Sequence, residues 1–198
     1  MSVTSLSRVR TALVGVGAFA VLTAGVTVSS ATAADPTPGR HGSTGAHHKA
    51  PQVAANTSLR FVRNGHDPRR SRLQVWRFGR VVADFRAGSG MGSTDECKPM
   101  KGWLPSGTYR VGSLYTNYPG TKIHGYAIPL SDGQCHGKTK TWRRHLLIHS
   151  KMTASGGSRW KGDDSYLSNG CIKLAPWDIR KLFRILKQAP RPTRLTVV

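Results

Sequence analysis

Ser168-Asn169-Gly170-Cys171-Ile172-Lys173 runs through Leu174-Ala175 directly into Pro176 and the only stretch of this chain with clear helical periodicity. There Trp177, Ile179, Leu182, Phe183 and Leu186 recur at i, i+3/i+4 spacing and form one apolar stripe. The spacing predicts a single helix that begins at Pro176 and stops before Pro190. Proline suits the first helical position, because the N–H it lacks would have no partner there. Upstream, the chain reads as short strands punctuated by glycine. A hairpin is expected from Arg72–Phe78 and Arg80–Arg86 around Gly79. Further strands are expected over Thr108–Leu114, over Lys122–Leu130 with a break near Gly125, over Trp142–Ile148, and over Arg194–Val198. Many strands, one late helix and a cysteine loop just before it predict a mainly β domain.

The hexapeptide also carries chemistry. A thiol becomes a strong nucleophile when a base takes its proton, and a neighbouring glycine lets a substrate carbonyl approach the backbone. His149 closes the expected strand Trp142–Ile148 and is the base candidate for Cys171. His145 lies on the same expected strand but belongs to no motif, and is read as structural. Residues 150–167, between His149 and Ser168, form a long polar loop with Gly156-Gly157 and Asp163-Asp164. Loops of that length in a compact domain are usually functional or mobile. Trp103 and Trp160 are either cleft walls or core.

Five features in order resemble the L,D-transpeptidase (YkuD-type) catalytic domain of bacterial cell-wall enzymes. They are a hairpin, Leu73 to Val82; the loop Ser89-Gly90; the segment Leu104-Pro105-Ser106-Gly107-Thr108-Tyr109; His149; and Gly170-Cys171. The resemblance implies a mainly β, L,D-transpeptidase-like β-sandwich with one C-terminal-side α-helix, over residues 59–198. It implies that Cys171 is the nucleophile and His149 its base, the two held as a thiolate–imidazolium pair. The backbone carbonyl of Ser150 would orient the imidazole. Backbone N–H groups around Gly170 and Cys171 would meet the oxyanion. His124, Ser168, Asn169 and Lys173 would contact substrate. The implied substrates are peptidoglycan stem peptides, the implied inhibitors carbapenem-type β-lactams, and no cofactor is needed. The acyl-enzyme would be resolved by an amine, giving a 3→3 cross-link, or by water, as in an L,D-carboxypeptidase. The family's Ser-His-Gly-Cys is Ser-Asn-Gly-Cys here, and Asn169 cannot carry a positive charge. Lys173 stands where arginine or asparagine is common. The 18 residues between His149 and Ser168 are slightly more than is usual in the family, and a non-catalytic, basic wall-binding module is the rival that Asn169 and this longer loop motivate. Peptidases with cysteine ahead of histidine have the opposite chain order.

The rest of the chain bounds the setting. Residues 1–34 read as an export signal: Arg8 and Arg10, then an apolar stretch from Thr11 to Val28, then Ala31-Thr32-Ala33. A retained anchor is the rival reading. Residues 35–58 are Pro-, Gly-, Ala- and His-rich and read as a flexible linker. The chain is therefore expected to be exported, extracellular or wall-associated. Of its three cysteines, Cys171 belongs to the motif, so Cys97 and Cys135 are the disulfide candidates; three free thiols, or a pairing of Cys171, are the alternatives. No cysteine spacing suits zinc, and His41, His47 and His48 lie in the linker, so no metal site is expected. The formal net charge is +21. Such a balance attracts polyanions. Aromatic and basic residues do not interleave as in an RNA-binding module, so anionic wall polymers are the expected polyanion and nucleic acid is not.

Overall fold

The computed structural model describes residues 57–188 and 190–198. The expected export signal and nearly all of the expected linker lie outside the described residues. The first strand, β1, is Thr57–Val62. Thr57 and Ser58, assigned to the linker from sequence, thus belong to the fold. The other strands are β2 (Ser71–Arg77), β3 (Arg80–Gly88), β4 (Gly107–Arg110), β5 (Ala127–Pro129), β6 (Gly133–Gln134), β7 (Trp142–Arg143), β8 (Leu147–His149), β9 (Ile172–Leu174) and β10 (Arg194–Val197). The single α-helix among the described residues, α1, is Pro176–Lys187. Eight strands form one curled sheet in the order β4-β10-β1-β2-β3-β9-β8-β5, while β6 and β7 make a separate two-stranded ribbon.

Side-chain alternation explains the core. Leu59 and Phe61 of β1, Leu73 and Val75 of β2, Phe85 and Ala87 of β3, and Leu195 and Val197 of β10 are buried, with exposed or half-buried residues between them. A period of two puts every second side chain on one face of a sheet. The helix meets that face with Ile179, Leu182, Phe183 and Leu186, all essentially inaccessible to solvent. Each such burial contributes about 1.5–3 kcal/mol of transfer free energy. Phe183 also stacks edge-to-face on Tyr126 at 4.8 Å. The helix ends where Gln188 caps it, and Arg77 donates to the carbonyl of Ile185, supplying positive charge where the helix dipole is negative.

Three expected strands differ from their reading, the first being Thr108–Leu114, which is only β4, Gly107–Arg110. Trp142–Ile148 is not one strand. His145 takes φ 55°, a left-handed backbone that ends β7 before β8 begins. Arg143 then pairs with Gly133 in the ribbon, whereas Ile148 pairs with Ile128 and Ile172 in the main sheet. Lys122–Leu130 shortens to β5, because the chain turns at Gly125 (φ 74°) before it enters the sheet. These strands position the site: parallel pairing of β8 and β9 sets His149 opposite Lys173, two residues beyond Cys171.

Candidate active site

Cys171 and His149 line one cleft of about 610 Å³, together with Met91, Lys122, Ile123, Lys151, Asp164, Leu167, Ser168, Asn169 and Lys173. That volume lies within the range of small-ligand sites. The two residues reach the cleft from adjacent strands, His149 as the last residue of β8 and Cys171 as the residue before β9.

His149 is almost wholly buried, and its Nδ1 lies 3.0 Å from the carbonyl oxygen of Ser150. A carbonyl can only accept, so Nδ1 carries the hydrogen and Nε2 is left with a free lone pair. Burial pulls the imidazole pKa down to about 4; the Ser150 carbonyl opposes this, and the charge of Lys173 adds to it. Burial pushes the Cys171 thiol up, against a main-chain hydrogen bond from Leu147 and the charges of Lys173 and Arg143. The direction of both shifts is toward a neutral thiol beside a neutral imidazole rather than the expected thiolate–imidazolium pair. The thiol itself points to the His145 carbonyl at 3.7 Å.

The loop that presents Cys171 is stitched to the Ser89-Gly90 loop. Ser168 N–H donates to the Gly90 carbonyl at 2.9 Å, and Gly90 N–H donates back to Ser168 Oγ at 3.2 Å. Ser89 Oγ donates to the Gly170 carbonyl at 3.3 Å and accepts from Leu104 N–H at 2.9 Å. Ser168 Oγ in turn donates to the Cys171 carbonyl and accepts from Gly170 N–H at 3.3 Å. The Ser168 hydroxyl is thus consumed in holding the loop. The Gly170 N–H, one of the two expected oxyanion donors, is also engaged in holding the loop. Gly170 itself takes φ 110°, a conformation side chains rarely adopt.

Asn169 is exposed and lines the cleft. Lys173 lines it too, while donating to the Leu167 carbonyl; burial, then the charge of Lys151, lowers its pKa. His124 is not among the lining residues. Lys122 and Ile123 take that place, because the chain turns away at Gly125. Trp103 is buried with Arg63 stacked over its ring at 4.5 Å, and Trp160 packs on Tyr166 and Trp177; neither lines the cleft.

Cys97 and Cys135 are joined by a disulfide, and Cys171 is the free thiol. Beside this bridge, Glu96 accepts from Arg63 Nη1 (2.8 Å), Ser106 N–H (3.0 Å), His136 N–H (2.7 Å) and His136 Nδ1 (2.8 Å). Burial alone would raise the Glu96 pKa, but these donors outweigh it and bring the carboxyl down to about 2. A carboxylate with a depressed native pKa stabilises the fold above its unfolded value and loses that contribution as pH falls through its native value. Glu96→Gln is therefore expected to cost about 1–2 kcal/mol at pH 7, with wild type and variant converging between about pH 4.5 and 2. Urea unfolding curves across that range check it; a gap that does not close would contradict the ionic role.

Sequence reasoning missed Arg143. Its side chain is buried behind the nucleophile loop, where Nη2 donates to the Asn169 carbonyl at 2.9 Å. No motif marks it, since its partners are main-chain atoms distant in sequence. The exposed Trp142 before it, on a short ribbon strand, gives no periodicity to betray its burial.

No curated protein matches the chain. Among solved structures, it is similar to an L,D-transpeptidase from Stackebrandtia nassauensis (14% identity, TM-score 0.46, 78% of this chain and 61% of that one). It is also similar to an L,D-transpeptidase from Xylanimonas cellulosilytica (21%, 0.43, 75% and 63%) and to the helical cell shape determining protein Pgp2 from Campylobacter jejuni (18%, 0.47, 72% and 48%). The chain spans about three fifths or less of the length of these relatives. Their TM-scores are too low to carry an argument. The family match is what decides: residues 66–197 match the L,D-transpeptidase catalytic domain, YkuD, and on that extent the chain belongs to this family.

Proposed function

We propose that this protein is an exported L,D-transpeptidase acting on peptidoglycan stem peptides through an acyl-enzyme on Cys171. The observation that carries the reading is a buried histidine whose Nδ1 is committed to a carbonyl, so that Nε2 is free to act as a base on the cleft it shares with the only free thiol of the chain. In the first half-reaction, His149 Nε2 takes the thiol proton as Sγ attacks the carbonyl between the third-position diamino acid and the terminal D-alanine. The S–C bond forms, the C–N bond breaks, and His149 returns the proton to the leaving amine of D-alanine. In the second, the amine of a neighbouring stem attacks the thioester. The new C–N bond is the 3→3 cross-link, and the thiol leaves with its proton restored. Because both groups start neutral, proton transfer accompanies attack.

The test is mass spectrometry of products from purified tetrapeptide stems. Release of D-alanine together with a cross-linked dimer supports the reading. Release without a dimer makes the enzyme an L,D-carboxypeptidase, with water in place of the amine. No release from folded protein would leave a basic wall-binding module. The same thioester chemistry makes carbapenems suitable acylating inhibitors.

The cleft is electropositive. Lys122, Lys151 and Lys173 line it against a single acid, Asp164, which pairs outward with Arg69 at 3.3 Å. Stem peptides carry free carboxylates, which suits that lining. Lys151→Ala is expected to raise KM about fivefold for a free-carboxylate stem, leave kcat unchanged, and have little effect on the amidated stem. Initial rates on the two stems check this. An equal change on both would remove the electrostatic reading. The remaining positive charge suits anionic wall polymers, and a salt-sensitive association with them is part of the proposal.

A further inference from the structure

Arg143 is a buried cation with no ion-pair partner among the described residues. Its side chain is 6% exposed, and Nη1 donates to the carbonyls of Glu96 (2.8 Å) and Lys98 (3.3 Å), while Nη2 donates to those of Gly102 (3.1 Å) and Asn169 (2.9 Å). All four acceptors are neutral main-chain atoms, and no carboxylate is among its partners. A buried charge normally finds an opposite charge, because desolvation is costly. Here no carboxylate contacts the guanidinium among the described residues, and Asp95 acts on it only through space. The position that would complete the arrangement is next door: a Cβ added at Gly170 would collide with Nη2, so the guanidinium sits directly against the residue that precedes Cys171.

We propose that Arg143 is a positioning residue for the nucleophile: its carbonyl-held guanidinium fixes the Asn169–Gly170 peptide and supplies the positive charge against which the negative charge of Cys171 develops. This rests on Cys171 being the nucleophile of the proposed reaction. Arginine suits the task, since its planar fork of donors can engage several carbonyls at fixed angles and it stays charged when buried. Burial lowers even its pKa, with Tyr109, Cys171 and Asp95 pulling the other way, and the charge of Arg143 in turn favours the Cys171 thiolate. The remaining titratable or charged groups facing the sulfur are His149 and Lys173, with Lys122, Lys151 and Asp164 elsewhere on the cleft.

The same geometry gives the disulfide a task. Three of the four acceptors, Glu96, Lys98 and Gly102, belong to the loop anchored by Cys97, and the bridge to Cys135 together with the Glu96–His136 contact holds that loop in place. The path from bridge to nucleophile is continuous: disulfide, loop carbonyls, guanidinium, Asn169 carbonyl, Cys171.

The test is the pH dependence of Cys171 alkylation by iodoacetamide, which reads thiolate formation without needing any cell-wall substrate. For Arg143→Gln the alkaline limb is expected to move up by about one pH unit, so that the rate at a fixed pH below the limb falls about tenfold. Arg143→Lys keeps the charge and is expected to stay within about threefold of wild type, while melting at a lower temperature for want of the fork. A limb unmoved in Arg143→Gln, or the same loss in both variants, would overturn the proposal in favour of a purely structural arginine. Should Arg143→Gln fail to fold, the double variant Cys97→Ser/Cys135→Ser decides: slower alkylation supports the path, and an unchanged rate overturns it. Alkylation that responds to Arg143 in a protein that ignores stem peptides would keep this inference and remove the transpeptidase reading instead.

Discussion

Cys171→Ala is expected to lower D-alanine release from tetrapeptide stems about 10⁴-fold or more, to background, with the fold unchanged. The size follows from losing the covalent route altogether, since residues that act as one catalytic unit fail together when the nucleophile is removed. The unchanged fold follows from the surroundings. The sulfur makes only weak main-chain contacts, to the His145 carbonyl at 3.7 Å and with Leu147, and the loop is held by Ser168, Ser89 and Arg143 rather than by the thiol. Product assays beside thermal melting separate the two effects. Turnover by the variant would remove Cys171 from the mechanism.

His149→Gln is expected to reduce acylation about 10²–10⁴-fold, the usual range for loss of a general base. Glutamine can still donate to the Ser150 carbonyl, so the change removes the proton acceptor more than the packing. The pH dependence carries the finer statement. A histidine with its pKa held near 4 is neutral, and able to accept a proton, throughout the neutral range. The acid limb of acylation in the wild type should therefore lie near pH 4, well below the ordinary histidine value of about 6.5. In the variant that limb should vanish. Iodoacetamide alkylation of the resting wild type should still climb on the alkaline side, because burial holds the thiol up. An alkylation rate already flat at neutral pH would mean a preformed ion pair, and would overturn the neutral resting site.

Much of the fold was legible because its local signals agree with its tertiary role. The helix Pro176–Lys187 could be read from five apolar residues at helical spacing, and four of those five are the ones buried. Trp177 is the exception. It sits on the rim of the stripe, largely exposed, with its ring against Trp160. The β2–β3 hairpin could be read because Gly79 punctuates two alternating runs. β1 was not recognised as a strand. Its alternation is only six residues long and follows directly on low-complexity sequence, and its stability comes from non-local pairing with β2 and β10. The left-handed turn at His145 was not legible either, since a histidine there gives no warning of positive φ.

At the site, a Gly-Cys pair and an upstream histidine carried a signal because each chemical role demands its residue type. Ser168, expected to contact substrate, lines the cleft and also spends its hydroxyl on holding the loop, a role that its sequence context does not reveal. His124 was displaced from the cleft by its own neighbours, Lys122 and Ile123. Arg143 escaped notice for a deeper reason. Main-chain carbonyls exist at every residue, so a side chain that recognises them leaves no partner in the sequence to find.

The most direct test of the account is intact-protein mass spectrometry of the protein incubated with a carbapenem, with Cys171→Ala as the control. A single covalent adduct is expected, mapped to the peptide containing Cys171 and absent from the control. Folded wild-type protein without an adduct, or an adduct that persists in the control, would contradict an acylable nucleophile at Cys171.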